Sequence, residues 1–132
     1  MLYMLDTNVM SAIMHDPFGS AATRLQQTSR DERALSIIVA AELRFGIAKR
    51  SSKVLARRFE ALIAEIPIFP FHAPADKTYA ELRTKLEKQG TPVGANDMLI
   101  AAHALALDAM LVTGNAREFS RIEGLKVENW LR

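Results

Sequence analysis

Cysteine is absent from this 132-residue chain, and its absence excludes several kinds of chemistry. Disulfide bonds and thiolate metal sites cannot form, and no thiol is available as a nucleophile. A disulfide-stapled extracellular scaffold is therefore excluded, and a reducing cytoplasm is compatible with the sequence.

Long hydrophobic runs are absent as well. No stretch approaches the roughly 20 consecutive apolar residues of a membrane-spanning helix. The short apolar run at residues 2–5 has no basic segment before it and ends at an acid, unlike a secretory signal. We therefore expect a soluble protein that works in the cytoplasm and does not bind membranes.

A strong net charge of either sign is also missing, because 17 lysine and arginine residues are balanced by 15 aspartate and glutamate residues. The distribution of charge is more informative than the sum. Residues 43–59 contain six basic residues and no acid. Such a stretch can bind phosphates, although a solvated helix face explains it equally well. Its candidate RNA-binding residues are Arg44, Lys49, Arg50 and Lys53.

The chain has the length and composition of one globular domain. Its 132 residues can enclose a hydrophobic core without covalent staples, and 49% hydrophobic and 24% charged residues are close to the averages for globular proteins. No internal repeat or low-complexity segment divides the sequence. We predict a single domain over residues 1–132.

Hydrophobic periodicity indicates alternating strands and helices. The predicted strands are 2–5, 34–38, 67–71, 110–113 and 126–129. The first predicted helical segment is 9–27, with a break near residues 16–19. The other predicted helices are 39–49, 54–66, 75–88 and about 96–107. A loop is predicted at 90–94, and a turn at 114–118 before a polar stretch. Two prolines confine 67–71 to a sheet edge. This alternation predicts an α/β fold with a parallel central sheet of four or five strands and helices on both faces.

Four carboxylates follow predicted strands or open neighbouring helices: Asp6, Glu42, Asp97 and Glu118. Ligand sites of open α/β sheets form at the carboxyl ends of the strands, so we expect these acids to lie near one another. Each of three has a structural alternative. Asp6 can be a helix cap, Asp97 a first-turn acid that complements the helix dipole, and Glu118 a surface charge.

Glu42 and Asp97 are harder to explain as structural residues, because their helical neighbours are apolar or small. Glu42 shares a face with Ile38 and Phe45, and Asp97 shares one with Ile100. No lysine or arginine stands three or four residues away to neutralise either acid. A buried carboxylate without a partner is costly or becomes protonated, so a bound hard cation such as Mg²⁺ is the economical solution.

Other catalytic centres are not supported by the sequence. The three histidines, His15, His72 and His103, lack the paired spacing of a zinc site and are expected to be solvated or packed. No serine lies in a nucleophile-elbow sequence, and the glycines form neither a Walker loop nor a dinucleotide-binding motif. We therefore expect no nucleotide cofactor.

Four motifs together resemble a known family. They are Met4-Leu5-Asp6-Thr7-Asn8; Ala41-Glu42-Leu43 with Gly46; Asn96-Asp97-Met98-Leu99-Ile100-Ala101; and Leu111-Val112-Thr113-Gly114-Asn115 with Glu118-Phe119. In this order and spacing, over nearly the whole chain, they resemble the PIN-domain ribonucleases, in particular the VapC toxins of bacterial toxin–antitoxin pairs. The closing segment from Glu118 to Trp130 is also similar to that of the enteric VapC toxins.

The resemblance implies a metal-dependent endoribonuclease, a hydrolase that uses Mg²⁺ and accepts Mn²⁺ in its place. Glu42 would orient the attacking water or accept a proton from it. The fourth acid departs from the family pattern, because Ala116 follows Asn115 where many members carry an aspartate; Glu118 would bind a second metal or only water in its shell. The implied metal ligands are Asp6, Asp97 and Glu42, with Thr7, Thr113 and Asn115 as supporting polar groups.

The resemblance also implies partners. These are a VapB-type antitoxin that covers or fills the acidic site, an RNA substrate, and further copies in a homodimer or a toxin–antitoxin hetero-oligomer. Similarity to the enteric toxins favours a tRNA anticodon loop, that of the initiator, as the RNA. The apolar residues expected either to form the antitoxin surface or to pack in the core are Met10, Ile13, Met14 and Phe18.

Three other functions fit part of the pattern. Aspartyl-phosphate phosphatases need a second aspartate two residues after the first, where this chain has Asn8. A receiver-like regulatory domain binds Mg²⁺ with clustered acids but needs a lysine after its last core strand, where Thr113 leads into Gly114. A non-catalytic binding protein is compatible with the fold, although all three principal acids are present.

Overall fold

The computed structural model describes residues 1–91 and 93–132; Pro92, within the predicted 90–94 loop, lies outside the described residues. The strands are β1 (Tyr3–Leu5), β2 (Arg33–Ser36), β3 (Ile68–Phe69), β4 (Met110–Val112) and β5 (Lys126–Glu128). The helices are α1 (Thr7–His15), α2 (Ser20–Gln26), α3 (Ile37–Arg50), α4 (Lys53–Ile63), α5 (Ala75–Gln89), α6 (Ala95–Ala106) and α7 (Ala116–Phe119). Every helix of the described residues is too short or too polar to cross a membrane.

The five strands are parallel and form one sheet in the order β3-β2-β1-β4-β5. The predicted α/β class and the predicted number of strands are therefore confirmed, and the proline-flanked strand β3 lies at the sheet edge as expected. Strand β1 lies in the centre, where Leu5 pairs with Val112 of β4. The residues that follow β1 and β4 therefore emerge side by side at the carboxyl edge of the sheet.

Both faces of the sheet are covered. Met4 and Leu5 are consecutive residues of β1 and have no exposed surface, and the same is true of Leu111 and Val112 in β4. Because consecutive side chains of a strand point to opposite faces, helices or loops must pack on each side. The buried strands thus hold the residues at their carboxyl ends in place.

Two of the element ends that differ from the sequence prediction have local reasons. Strand β2 stops at Ser36 rather than Ile38, because the buried Ser36 hydroxyl caps α3 by accepting a hydrogen bond from the Ile38 N–H at 3.1 Å. Helix α4 stops at Ile63 instead of Ile66, and residues 64–66 form a turn before Pro67, which disfavours helical backbone at the residue that precedes it.

One helix was missed by the sequence analysis. Residues 116–119, which were predicted to belong to a turn, form the short helix α7. Its Phe119 is fully buried and anchors this turn to the hydrophobic core. The helix matters for function because it carries Glu118.

The large apolar side chains of α1 lie in the hydrophobic core and do not form an exposed partner surface. Met10, Ile13 and Met14 are at most 5% exposed, so the expectation that they form an exposed surface is wrong and their alternative role in the core is correct. They form the apolar stripe through which α1 packs against its neighbours α2, α3 and α4. Phe18, in the turn between the two helices, is 94% exposed.

Candidate active site

Asp6 follows the central strand β1 and caps helix α1. Its Oδ1 accepts a hydrogen bond from the backbone N–H of Thr7 at 2.8 Å, and its Oδ2 accepts one from the Thr113 hydroxyl at 2.7 Å. Thr113 follows β4, so the pairing of β1 with β4 brings these two side chains together. Asp6 is only 4% exposed, and both of its oxygens are held in place at the carboxyl edge of the sheet.

Burial raises the pKa of the Asp6 carboxyl above its ordinary value. The hydrogen bonds from Thr113 and Thr7 lower this pKa in part, and the negative charge of Glu42 raises it. The two threonines therefore favour the ionised form of Asp6, which is the form that coordinates a cation.

Glu42 lies in the second turn of α3 and is joined to α1 and α6 by hydrogen bonds. The Thr7 hydroxyl donates to Glu42 Oε1 at 3.0 Å, and the Asn96 side-chain amide donates to Glu42 Oε2 at 3.4 Å. Helix α3 starts directly after β2 because Ser36 caps it, which brings Glu42 to the carboxyl edge of the sheet. Thr7 links two carboxylates, since its backbone binds Asp6 and its hydroxyl binds Glu42.

Asp97 lies in the first turn of α6 and is half-buried. Its pKa is raised to about 6, first by burial and then by the negative charges of Asp6, Glu118 and Glu42. Asp97 therefore lies near each of the other three predicted acids. We call these four residues, Asp6, Glu42, Asp97 and Glu118, the carboxylate cluster.

Glu118 joins the cluster from α7. The side-chain amide of Asn115 donates to Glu118 Oε2 at 2.6 Å, and the Asn115 backbone N–H donates to the Thr113 hydroxyl at 3.0 Å. A chain of hydrogen bonds thus runs from Glu118 through Asn115 and Thr113 to Asp6. The three polar residues that the resemblance implied as supports, Thr7, Thr113 and Asn115, all contact a carboxylate of the cluster.

The carboxylate cluster has no cationic partner in the described part of the chain. None of its four acids forms an ion pair with a described lysine or arginine. Within residues 1–91 and 93–132, no three histidine, aspartate or glutamate side chains are grouped closely enough to form a complete set of metal ligands. The cluster is therefore an open set of acids whose charges repel one another.

The predicted RNA-binding residues differ in their surroundings. Arg44 forms an exposed ion pair with Glu60 at 3.0 Å, and its guanidinium lies over the ring of Phe59. Such an exposed pair stabilises the fold little but keeps Arg44 against α4. The other three, Lys49, Arg50 and Lys53, are exposed and form no ion pair within the described residues.

Three residues near the cluster were given no role in the sequence analysis. Arg117 and Arg121 line a surface cavity of about 550 Å³ together with Asn115 and Glu118. Their spacing of four residues beside a candidate ligand was the available signal, but it is informative only once a helical turn is assigned there. Asn96 stands in the third family motif directly before the predicted acid of α6, but it was given no role.

The buried histidine lies behind the cluster. His103 on α6 is 2% exposed, its Nδ1 is 2.8 Å from the Ser36 hydroxyl, and the ring of Phe71 meets it edge-on. Burial lowers the pKa of His103 and favours the neutral ring. Because Ser36 caps α3, this contact joins the helix that carries Asp97 to the start of the helix that carries Glu42.

Comparison with known proteins identifies relatives over the whole fold. The model of the PIN domain family matches residues 3–125. The chain is 39% identical to Ribonuclease VapC2 of Rickettsia felis over 98% of both chains, and 31% identical to the tRNA(fMet)-specific endonuclease VapC of Shigella flexneri over 97% of both chains. Its fold is similar to that of a chain in the crystal structure of VapBC2 from Rickettsia felis bound to a DNA fragment from their promoter. That match has a TM-score of 0.90 and 39% identity, and covers 98% of this chain and 99% of the other.

The family match includes every element that positions the carboxylate cluster, from β1 to α7. Identity of 39% over nearly the full length of both chains indicates common descent and not only a shared fold. The chain therefore belongs to the PIN-domain family and, within it, to the VapC ribonucleases.

Proposed function

We propose that this ribonuclease is the toxin of a toxin–antitoxin pair and that it cleaves tRNA with Mg²⁺ held by the carboxylate cluster. The observation that carries the proposal is the meeting of four acids at the carboxyl edge of the sheet, without a lysine or arginine partner among the described residues. Mutual repulsion of this kind is relieved by a bound cation.

The residues of the cluster fit a hard divalent ion. Mg²⁺ prefers carboxylate oxygens, usually takes one or two of them from the protein and keeps several waters, so an open set of acids suffices. Asp6, whose orientation Thr113 fixes, and Asp97 would hold the ion, with Glu42 close by. Mn²⁺ accepts the same oxygen ligands and would substitute.

Hydrolysis of the RNA backbone needs an activated water and stabilisation of charge on the phosphate. Bound Mg²⁺ would supply both, because such an ion lowers the pKa of water and neutralises developing negative charge. Glu42 would accept the proton of the attacking water, since Thr7 and Asn96 hold its carboxylate beside the cluster. Glu118, held by Asn115, adds a fourth carboxylate at which water is oriented.

The proposed substrate is a tRNA, the initiator tRNA in particular, cut in its anticodon loop. Support comes from the Shigella flexneri relative, which is named a tRNA(fMet)-specific endonuclease. Positive charge for the RNA backbone is available beside the acids. Arg50 lines a cavity with Glu42, and Arg117 and Arg121 line one with Glu118.

The proposed partner is a VapB-type antitoxin, in a complex formed in the cytoplasm where tRNA is present. The similar Rickettsia felis structure contains VapBC2 bound to DNA. On this chain, a cavity of about 310 Å³ lies between α1, α2 and α4, and its lining includes Pro17, Ala61 and Leu62. The exposed Phe18 follows Pro17 and would be covered by an antitoxin seated there. A homodimer or a toxin–antitoxin hetero-oligomer is the expected assembly.

Induced expression in a bacterial host tests the toxin role. We expect growth arrest and discretely cut tRNA for the natural chain and for Glu81→Gln, an exposed acid of α5 that serves as control. Both effects should vanish for Glu42→Gln and on co-expression of the cognate antitoxin. Unimpaired growth would contradict the toxin role, and growth arrest with intact tRNA would contradict the substrate.

A further inference from the structure

A groove runs between α1 and α3 and begins at the carboxylate cluster. Its volume is about 270 Å³. Glu42 belongs to the cluster, and Thr7 donates a hydrogen bond to it, so the groove is continuous with the site at which RNA is cut. The lining residues that matter here are Thr7, Ser11, His15, Glu42, Gly46 and Arg50.

The two ends of the groove differ in charge. On α1, His15 stands eight residues after Thr7, and on α3, Arg50 stands eight residues after Glu42. Eight residues of helix are about 12 Å long, so a histidine and an arginine lie at about this distance from the acidic end, one on each wall. Arg50 forms no ion pair within the described residues, and the His15 ring is held by its Nδ1, 2.8 Å from the Ser11 carbonyl oxygen.

Gly46 lines the middle of the groove. A Cβ built on Gly46 would meet no heavy atom within 4 Å, so the space beside it is open and crowding does not require glycine at this position. Glycine inside a helix is less stable than alanine, so helix stability does not require it either. A side chain longer than that of alanine at this position would extend into the groove.

We infer that this groove binds the RNA strand next to the scissile phosphate and that Arg50 receives a phosphate of that strand. The inference rests on the proposed function, because it takes the carboxylate cluster as the cleavage site. An arginine without an ion pair suits a phosphate because its planar fork can donate two parallel hydrogen bonds.

Arg50→Gln tests the basic end of the groove, with Lys77→Gln as the matched control. Lys77 is an exposed basic residue of α5 whose replacement removes the same charge, but it does not line the groove. The measurement is the Kd for unfractionated bacterial tRNA over a series of NaCl concentrations, in an Asp97→Asn background so that bound RNA stays intact. Arg50→Gln should weaken binding about five- to tenfold and lower the slope of log Kd against log salt by about 0.7 to 1, and Lys77→Gln should change neither.

Gly46→Leu tests the groove without a change of charge, with Gly46→Ala as its control. The leucine fills the passage, so the KM for tRNA cleavage should rise about tenfold or more, whereas the alanine protein should keep the KM of the natural chain. The melting temperatures of the two variants should agree, since neither residue meets crowded surroundings at the Cβ.

The possible results distinguish a failure of the groove assignment from a failure of the proposed function. If the natural chain cuts tRNA while Arg50→Gln and Gly46→Leu keep its affinity, salt slope and KM, the groove assignment is overturned and the proposed function stands. If these variants keep tRNA binding and lose only antitoxin binding, the groove is a protein docking site and the assignment is likewise overturned. If the natural chain neither binds nor cuts tRNA, the proposed substrate itself fails.

Discussion

The Thr113 hydroxyl donates a 2.7 Å hydrogen bond to Asp6 Oδ2 and so joins the ends of two neighbouring strands in the middle of the sheet. Both residues are buried. A carboxylate that accepts a hydrogen bond is stabilised in its charged form, so this contact opposes the effect of burial on the Asp6 pKa. The fold thereby combines a dry site with an acid that can still ionise.

Thr113→Val removes this donor and keeps the shape of the side chain. The Asp6 pKa should rise further, because burial then acts with less opposition. The acid limb of the pH profile for tRNA cleavage should move to higher pH, and activity on that limb should fall about tenfold. Thr113→Ser keeps the hydroxyl and should retain the natural profile. A valine profile that overlays the natural one would show that Asp6 does not depend on this contact.

Metal-free protein should be destabilised by the ionisation of Asp97. Its pKa is about 6 in the fold against 3.8 as the ordinary value, so the folded chain binds this proton more tightly than the unfolded chain does. The destabilisation is therefore present above pH 6 and is relieved as the pH falls from about 6 towards 4. In EDTA, Asp97→Asn should raise the melting temperature at mildly alkaline pH, and the gain should shrink on acidification. If Asp97→Asn leaves the melting temperature at alkaline pH unchanged, or lowers it, the crowding of negative charge around Asp97 is contradicted.

Mg²⁺ should stabilise the natural chain through the carboxylate cluster. An ion that binds only the folded state adds about 2.7 kcal/mol to the free energy of unfolding at a concentration of about 100 times its Kd. Thermal melts over an Mg²⁺ series should show this gain for the natural chain and for Asp76→Asn, an exposed first-turn acid of α5. Asp97→Asn should lose most of it. Equal gains in all three proteins would place the bound ion away from the cluster.

Ser36 should contribute to both stability and activity. Its hydroxyl caps α3, which carries Glu42, and lies 2.8 Å from Nδ1 of the buried His103. Ser36→Ala should lower the free energy of unfolding by about 1–2 kcal/mol, as measured by urea denaturation, and should reduce cleavage because the start of α3 is no longer held. Ser36→Thr retains a hydroxyl and should recover most of both. Natural stability in the alanine variant would mean that neither hydrogen bond matters.

The carboxylate cluster was largely predictable from the sequence because its parts have local signals. The apolar run before Asp6 ends abruptly at an acid, and Glu42 and Asp97 stand among apolar helical neighbours. The rule that sites form at the carboxyl ends of parallel strands then brings such residues together. Glu118 was harder to place, because α7 is four residues long and depends on the burial of Phe119. So short a helix has little intrinsic stability and hence no clear sequence pattern.

The surroundings of the cluster were not predictable, since they depend on which helices become neighbours. The stripe of Met10, Ile13 and Met14 looks the same in sequence whether it faces a partner or the core, and packing of α1 against α3 and α4 decided the matter. The groove that ends at Arg50 and His15 has the same origin. Its two walls lie 35 residues apart in the chain where Thr7 meets Glu42.

We propose that the carboxylate cluster cuts RNA with a bound divalent cation. The direct measurement is cleavage of unfractionated bacterial tRNA by antitoxin-free protein, in Mg²⁺ and in EDTA, with Asp97→Asn and Asp76→Asn compared at matched folded fractions. We expect discrete products from the natural chain and Asp76→Asn in Mg²⁺, none in EDTA, and none from Asp97→Asn. Cleavage that persists in EDTA, or undiminished cleavage by Asp97→Asn, would contradict it.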